Sequence, residues 1–282
     1  MPDKLLDRVA AVAAEAGALA LARSTERYDR WEKAGGEPVC EVDIAVDMLL
    51  RERLRAIDPG AGWLSEESLD DKTRLDARRV WVVDPIDGTR DFLRGRPGWA
   101  VSIALVEDGR PLIAVLDAPA RGEVWLARAG EGATRNGVPI HVTPRTELAG
   151  ARVPADQLPR RDMDLVAVAK PNSIALRIAM IAAGEADLVA TLRWGHEWDV
   201  AAAVLIAAEA GATVSDALGE PLGFNTESAE AFGVLVSPPG IHPAAVARLA
   251  SYAAIAERVG GREGWGVAVA PPVAPALSRG PA

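Results

Sequence analysis

The chain has 282 residues, of which 49% are hydrophobic and 25% are charged, a composition typical of folded globular proteins and not of disordered ones. Its net charge of −9 at pH 7 provides no basic surface for nucleic-acid phosphates, so stable nucleic-acid binding is not expected. The single cysteine, Cys40, excludes an internal disulfide as well as a thiolate zinc or iron–sulfur cluster.

The first part of the chain predicts two helices. Apolar residues recur at helical spacing over residues 5–19 and again over residues 42–57. Acidic residues interrupt the first stretch, which argues against a secretory signal, and no run of about 18 uncharged apolar residues occurs anywhere in the sequence. We therefore expect a cytoplasmic protein without a membrane partner.

Short β-branched segments then predict an antiparallel meander. Residues 79–83 form a strand that ends at Asp84 and Pro85, because proline removes a backbone donor and favours extended geometry in the residue before it. Glycine-containing turns separate the segments that follow. Three further strands are predicted at residues 100–107, 111–118 and 123–127.

Beyond residue 150 the pattern changes to alternating strands and helices, which predicts a mixed α+β fold. Strands are expected at 165–169, 186–192, 212–216 and 232–237, and helices at 173–184, 199–210 and 243–258. We divide the chain into an N-terminal half at 1–148, a C-terminal half at 149–260 and a flexible tail at 261–282, where glycine and proline recur without periodicity.

The densest group of acidic residues surrounds the end of the 79–83 strand. Asp84 and Asp87 flank a proline-containing turn, where both carboxylates and the Ile86 carbonyl can converge on one point. Glu66 precedes them and Asp199 follows far downstream. Hard divalent cations such as Mg²⁺ take oxygen ligands of this kind. Taken alone, each feature is also explained as a polar turn, a solvated acidic residue or a helix N-cap.

Gly88 and Thr89, directly after Asp87, complete the predicted site. Glycine permits close approach of the backbone to a ligand, and successive amide groups at the start of a helix bind phosphate. Carboxylates that hold metal ions and amides that hold a phosphate group together predict chemistry on a phosphate ester.

Four segments of the chain resemble the inositol monophosphatase family, in the family's order and at about its spacing. They are Pro38-Val-Cys-Glu-Val-Asp43, Leu64-Ser-Glu-Glu-Ser68, Trp81-Val-Val-Asp-Pro-Ile-Asp-Gly-Thr89 and Trp198-Asp-Val-Ala-Ala-Ala-Val-Leu-Ile-Ala-Ala-Glu-Ala-Gly211. The resemblance implies a layered αβαβα sandwich of the inositol monophosphatase and fructose-1,6-bisphosphatase type. The resemblance does not fix the oligomeric state, for which a homodimer is one alternative.

The resemblance also implies roles for individual residues. Two or three Mg²⁺ ions would be bound by Glu66, Asp84, the Ile86 carbonyl, Asp87 and Asp199. A metal-activated water near Thr89 and Glu66 would be the nucleophile, and Asp43 would help to organise a weaker third metal ion, which gives Glu66, Thr89 and Asp43 the catalytic roles. Substrate contacts are expected from Asp87, Gly88, Thr89, Arg90, His196 and Asp199. Lys33, on an early loop before Asp43, has no assigned role.

The expected activity is Mg²⁺-dependent hydrolysis of a small phosphorylated metabolite, with sensitivity to lithium implied by the resemblance. Residues 90–92 (Arg-Asp-Phe) resemble the Lys-Glu-Phe of the nucleotidase (CysQ) branch, which favours a 3′(2′),5′-bisphosphonucleotide such as adenosine 3′,5′-bisphosphate. Inositol 1-phosphate and a sugar bisphosphate are the alternative substrates. The alternative outside the enzymes is that the chain is a regulatory protein that binds the transcription machinery, as some members of the family it resembles do.

Overall fold

The computed structural model describes residues 4–33 and 38–259. Its helices are α1 (Lys4–Arg23), α2 (Glu41–Ile57), α3 (Thr89–Leu93), α4 (Ile174–Ala182), α5 (Glu197–Glu209) and α6 (His242–Val259). Its strands are β1 (Arg30–Glu32), β2 (Pro38–Cys40), β3 (Gly62–Ser65), β4 (Arg79–Asp87), β5 (Ala100–Glu107), β6 (Arg110–Ala118), β7 (Glu123–Arg128), β8 (Ala133–Arg135), β9 (Val138–Pro139), β10 (Arg152–Pro154), β11 (Val166–Val168), β12 (Val189–His196), β13 (Thr213–Ser215) and β14 (Glu230–Ser237).

The larger sheet contains seven strands in the order β3-β4-β5-β6-β7-β8-β9. Strand β3 runs parallel to β4, and every later pair is antiparallel. Helices α1 and α2 pack on one face and α5 on the other. Strands β4, β5 and β6 are therefore buried along most of their length, which explains why their sequences are apolar almost continuously and do not alternate.

The smaller sheet is antiparallel, in the order β12-β14-β13. Side chains of β14 alternate between two cores: Val234 and Val236 pack with α4 and α5, whereas Leu235 packs with Ala245 of α6. Helices α4 and α5 thus lie between the two sheets, and α6 covers the outer face. The order of layers is helix, sheet, helix, sheet, helix, so the predicted αβαβα sandwich is confirmed.

Helix α5 illustrates why this arrangement suits the sequence. Residues 200–207 are all buried, and a helix that is apolar on every side is stable only where neighbours cover all of it. The main hydrophobic core around α5 combines residues of β4 to β7 with residues of α4, β12 and β14. The division into halves at residue 148 stays a prediction, and the tail at 261–282 lies outside the described residues.

Some elements differ from the predicted ones. Strand β4 continues past Asp84 to Asp87, because the chain pairs with β5 again at Ala100. Strands β1, β2 and β10 were not predicted, because three-residue strands carry no periodicity of their own, whereas β11 lies within the predicted strand at 165–169. Over the described residues, no helix is long and apolar enough to cross a membrane.

Candidate active site

A bulge in β4 brings two acidic side chains together. Asp84 pairs with Ser102 and Asp87 pairs with Ala100, so three steps along β4 match two steps along β5. In a regular strand, residues three apart point to opposite faces, whereas one extra residue returns them to the same side. The amide of Ile86 donates a hydrogen bond to Asp84 Oδ1 at 2.9 Å, which stabilises the turn within the bulge.

Three carboxylates meet at this point. One oxygen of each of Asp84, Asp87 and Asp199 lies within 4.8 Å of the others. Asp84 and Asp87 are 1% and 6% exposed. Asp199 reaches the cluster from the first turn of α5 and lines the same cleft as Asp84 and Asp87. Buried carboxylates at this separation repel one another, and a hard divalent cation would relieve that repulsion.

The electrostatics of the cluster support this conclusion. Burial, together with the negative charges of Glu66, Asp87 and Asp199, raises the pKa of Asp84 well above its ordinary value. Burial also raises the pKa of Asp87 to about 6, against hydrogen bonds from Ser173 and Ala175 that favour the ionised form. A cation bound by these oxygens would lower both pKa values, so the donor set fits a metal ion such as Mg²⁺.

Glu66 lies at the entrance to the cluster, directly after β3, and lines the same cleft. Its carboxylate accepts a hydrogen bond from Lys33 Nζ at 3.0 Å, and Glu67 accepts one from the same nitrogen at 2.7 Å. Burial opposes the positive charge of Lys33, but the two glutamates outweigh it and raise the pKa of the ammonium group. Lys33, which had no assigned role, therefore partly neutralises the acidic entrance.

Gly88 and Thr89 form the turn that follows the bulge. Gly88 has φ of 97°, a conformation that favours glycine, and a Cβ atom there would lie 2.7 Å from the Gly98 carbonyl oxygen. Helix α3 begins at Thr89, whose hydroxyl donates to the Ile86 carbonyl at 3.1 Å. Ile86, Gly88 and Thr89 all line the cleft, while their roles toward metal and phosphate stay predictions.

Asp87 also contacts the start of α4. Its carboxylate accepts hydrogen bonds from the amides of Ile174 and Ala175, at 3.3 and 2.7 Å, and from the Ser173 hydroxyl. These are the donors that the first turn of a helix leaves without partners inside the helix. Asp91 accepts a further bond from the Asn172 amide at 3.0 Å. The turn at Gly88 and the start of α4 are therefore held together by two carboxylates.

Asp43 is almost fully buried beneath the cleft, in the first turn of α2. It accepts hydrogen bonds from the Cys40 amide at 2.8 Å and from the Cys40 thiol at 2.9 Å. Burial raises the pKa of Asp43 to about 6 and that of Cys40 to about 12. Cys40 is thus a buried residue that caps the start of α2 through Asp43, while the metal-organising role of Asp43 stays a prediction.

The predicted substrate contacts differ in position. Arg90 lines the cleft, whereas the two arginines that follow it in the sequence, Arg94 and Arg96, are exposed and are not among the lining residues. The ring of His196 stacks on Trp198, with centroids 4.2 Å apart and planes inclined by 17°. His196 borders a small neighbouring cavity together with Asp199. Its direct contact with substrate stays a prediction.

Three basic residues that were not singled out in the sequence also line the cleft, which has a volume of about 330 Å³: Lys170, Arg177 and Arg193. Arg177 is the one charged residue of α4, whose remaining eight residues are apolar. A lone arginine in a buried helix is the signal that could have identified it. Lys170 and Arg193 come from a loop and a strand, and only the fold brings them to the acidic cluster.

A buried polar network holds the start of α5, the helix that carries Asp199. Glu197 is fully buried and accepts hydrogen bonds from the amides of Asn225 and Thr226, at 2.6 and 2.8 Å. The same loop contacts Arg74, whose guanidinium donates to the Asn225 side chain at 2.6 Å and to Asp70. Glu197 is therefore a structural residue that fixes the start of α5, two residues before Asp199.

The fold and site together define a class of protein: a layered α/β sandwich in which a carboxylate cluster lies beside the glycine-containing turn at Gly88 and Thr89. Comparison with known proteins gives the family. The model of the inositol monophosphatase family matches residues 2–254. The chain belongs to this family, whose members are metal-dependent phosphoric monoester hydrolases of small phosphorylated substrates.

Relatives with different activities are similar to the chain at comparable levels. A fructose-1,6-bisphosphatase/inositol-1-monophosphatase from Thermotoga maritima is 32% identical over 69% of this chain and 78% of its own length. A 3′(2′),5′-bisphosphate nucleotidase CysQ from Escherichia coli is 30% identical over 78% and 94%. The Nus factor SuhB of Xylella fastidiosa is 35% identical over 67% and 72%.

Solved structures agree with the fold. The inositol monophosphatase structure from Thermotoga maritima superposes with a TM-score of 0.78 at 26% identity, covering 89% of this chain and 98% of that one. The relatives differ in substrate while sharing the architecture, so the particular substrate has to be argued from the residues of this cleft.

Proposed function

We propose that the chain hydrolyses a small bisphosphorylated metabolite, with a 3′(2′),5′-bisphosphonucleotide such as adenosine 3′,5′-bisphosphate as the preferred substrate. The observation that carries the proposal is the combination of one acidic cluster and four basic side chains in a single cleft. The acidic cluster suits a metal ion at the phosphate that is cleaved. The basic side chains suit a second phosphate that is not.

Asp84, Asp87, Asp199, Glu66 and the Ile86 carbonyl are the proposed metal ligands. A divalent cation bound there supplies Lewis acidity, which lowers the pKa of water and offsets the charge of the phosphate. Mg²⁺ is the proposed ion because all the donors are hard oxygen atoms. The acidic side chains would thus hold the metal ion, and the backbone turn at Gly88 and Thr89 would position the substrate.

The turn at Gly88 and Thr89 is the proposed cradle for the phosphate that is cleaved. The αL conformation of Gly88 turns the backbone toward the cleft, and the start of α3 offers amide groups to an anion. The Thr89 hydroxyl donates a hydrogen bond to the Ile86 carbonyl. The lone pairs of its oxygen can therefore accept a hydrogen bond from a water molecule. Thr89 and Glu66 would then orient that water for attack.

The second phosphate would contact the basic side chains. Arg90 and Arg193 are exposed at the cleft, and Arg177 is partly buried between the cleft and the protein interior. Guanidinium groups bind phosphate through a planar fork that an uncharged sugar hydroxyl cannot exploit. A nucleoside bisphosphate or a sugar bisphosphate would benefit from this arrangement, whereas inositol 1-phosphate would leave it unused.

Phosphate release by the purified protein with Mg²⁺ tests the proposal across adenosine 3′,5′-bisphosphate, fructose 1,6-bisphosphate and inositol 1-phosphate. We expect the highest kcat/KM for the nucleotide. The variant Arg90→Ala should raise KM for adenosine 3′,5′-bisphosphate about tenfold or more and change KM for adenosine 3′-monophosphate little. Arg94→Ala, which removes an exposed arginine outside the cleft, is the matched control and should behave like the wild type.

A wild-type preference for inositol 1-phosphate, or an equal effect of Arg90→Ala on both nucleotides, would assign the chain to another branch of the family. The similarity to a Nus factor keeps a regulatory role as the second candidate. That role requires no turnover, so measurable Mg²⁺-dependent hydrolysis with any of the three substrates favours the enzyme. A cytoplasmic location belongs to the same proposal.

A further inference from the structure

Helix α2 carries a second buried carboxylate, Asp47, four residues after Asp43 and therefore on the same face of the helix. Asp47 is 6% exposed and does not line the acidic cleft. Its two oxygens accept hydrogen bonds from the hydroxyl groups of Ser65 and Ser68, the latter at 2.7 Å. Over residues 4–33 and 38–259, no cationic side chain pairs with it. A buried charge with only these partners is costly compared with an apolar residue, so packing alone does not account for it.

The two serines that contact Asp47 flank the proposed metal ligand Glu66. Ser65 is the last residue of β3, and Ser68 lies in the loop that follows. The Ser65 hydroxyl also accepts a hydrogen bond from the Glu67 amide at 3.4 Å, which closes a turn around Glu66. Because its proton is donated to Asp47, the Ser65 oxygen keeps its lone pairs for that amide. Asp47 thus fixes the orientation of the hydroxyl on which the turn closes.

Apolar packing does not hold the loop that carries Glu66. Leu69 is the one apolar residue in the sequence from 65 to 71, and it is 96% exposed, so it makes little contact with the core. The Glu66 amide donates one long hydrogen bond to the Val83 carbonyl, at 3.3 Å, which ties the backbone to β4. The serine contacts with Asp47 are the hydrogen bonds that tie the same segment to α2.

We propose that Asp47 is a positioning residue that acts through Ser65 and Ser68 to hold the Glu66 carboxylate at the metal site. The inference rests on the proposed function, because it concerns a ligand of the metal ion proposed there. A site binds its ion more tightly when the ligands are held in place beforehand, and hydrogen bonds to the residues behind the ligands supply that order. The free energy lost by burying the Asp47 charge would thus be offset in metal affinity.

Binding of Mg²⁺ to the metal-free protein, measured by calorimetry without substrate, tests the inference. Asp47→Asn keeps the size of the side chain but replaces one acceptor oxygen with a donor, so one serine hydroxyl loses its acceptor. The double variant Ser65→Ala with Ser68→Ala removes both hydroxyl groups and leaves α2 unchanged. Asp187→Asn is the matched control, because Asp187 is also buried, at 1% exposure, and accepts hydrogen bonds from Arg152, but does not line the cleft.

Asp47→Asn and the double serine variant should each raise the Kd for Mg²⁺ about tenfold or more, as when a residue behind a metal ligand is removed. Adding Asp47→Asn to the double serine variant should raise the Kd no further, because both changes break the same contacts. Turnover should then need more Mg²⁺, whereas KM for adenosine 3′,5′-bisphosphate at saturating Mg²⁺ should match the wild type. Asp187→Asn should lower the unfolding temperature and leave the Kd for Mg²⁺ unchanged.

An unchanged Kd for Mg²⁺ in the double serine variant would overturn the inference and leave the proposed function intact. A further loss of affinity when Asp47→Asn is added would also overturn it, since Asp47 would then act by another route, such as its neighbour Asp43 on α2. An equal rise of the Kd in Asp187→Asn would assign the effect to general destabilisation. Wild-type protein that binds Mg²⁺ but hydrolyses none of the three substrates would overturn the proposed function alone. Should Asp47→Asn not fold, the Kd of the double serine variant decides.

Discussion

Asp87 has two functions in the proposed site, which makes it the most informative single residue. Its carboxylate belongs to the acidic cluster and also accepts hydrogen bonds from the first turn of α4. A neutral amide can replace the second function, because its oxygen still accepts from the helix amides, but it weakens the first. The two contributions can therefore be separated by one conservative substitution.

The variant Asp87→Asn should lower kcat by about two to four orders of magnitude, since the metal ions supply most of the charge stabilisation in such sites. Thermal unfolding should change little. Asp91→Asn is the matched control, because Asp91 also accepts a hydrogen bond next to α4 but lies outside the acidic cluster. Near-normal turnover of Asp87→Asn at saturating Mg²⁺ would contradict the ligand assignment.

Asp117 allows a test of buried charge away from the active site. Burial raises its pKa to about 6, and its Oδ2 atom lies so close to Gly17 of α1 that a Cβ atom there would be 1.8 Å away. Because the folded state holds the proton more tightly than the unfolded chain, Asp117 lowers stability as pH rises from about 4 to 6. Above pH 6 the full cost of the buried charge is present.

Asp117→Asn removes that cost and should raise the free energy of unfolding at pH 8 by about 1–3 kcal/mol. Denaturant unfolding at pH 8 and at pH 4 measures the effect. The gain should disappear at pH 4, where Asp117 is protonated in the folded protein. An equal gain at both pH values would mean that packing, not charge, is responsible.

At the scale of elements, the turn between β4 and α3 depends on the absence of a side chain at Gly88. Both Gly88 and Gly95 have positive φ, at 97° and 63°. A Cβ atom at Gly88 would meet the Gly98 carbonyl at 2.7 Å and the Ser173 amide at 2.9 Å, while nothing lies within 4 Å of one at Gly95. Alanine substitutions at these two glycines therefore separate the cost of backbone strain, which both share, from steric exclusion, which occurs only at Gly88.

Gly88→Ala should therefore lower kcat/KM by about a hundredfold or more, because the turn between β4 and α3, which is the proposed phosphate cradle, has to move away from Gly98 and the start of α4. Gly95→Ala should cost only the strain of a left-handed alanine, about 1 kcal/mol in the free energy of unfolding, and should leave the kinetics close to those of the wild type. Similar kinetics for the two variants would show that the turn is more adaptable than its contacts indicate.

The elements that could be predicted are those whose neighbours leave a pattern in the sequence. Helices α1 and α2 each bury one face, so helical periodicity identified them. Strands β4 to β7 are β-branched segments separated by clear turns, and these two signals identified them. The bulge in β4 could not be predicted, because it depends on the pairing of Asp87 with Ala100. Within the site, the acidic residues were found through their local motifs, whereas Lys170, Arg177 and Arg193 converge only through tertiary packing.

At the scale of the whole molecule, the site lies between layers, and residues from both parts of the chain are needed to form it. β4 of the larger sheet supplies Asp84 and Asp87, and α5 of the central helical layer supplies Asp199. The fully buried guanidinium of Arg74 joins the loop after β3 to the loop that Glu197 holds. This network links the position of Asp199 to the N-terminal part of the chain.

Inhibition by lithium tests whether the assembled site behaves like those the resemblance suggests. A small hard cation can occupy an all-oxygen site in place of Mg²⁺. Turnover should fall as Li⁺ is raised through the millimolar range, and additional Mg²⁺ should weaken the inhibition because the two cations compete for the site. Sodium at equal ionic strength is the control. Indifference to Li⁺ would indicate a metal site that differs in function despite its similar residues.

The dependence of hydrolysis on the acidic cluster tests the central claim most directly. Phosphate release from adenosine 3′,5′-bisphosphate is measured for chelator-treated wild type and Asp84→Asn while Mg²⁺ is restored. The wild type should be inactive without metal and recover fully. Asp84→Asn should stay inactive at the same Mg²⁺ concentrations yet unfold at an equal or higher temperature without metal, since burial and its acidic neighbours disfavour the Asp84 charge. Activity that survives chelation, or full recovery of Asp84→Asn, would contradict the account.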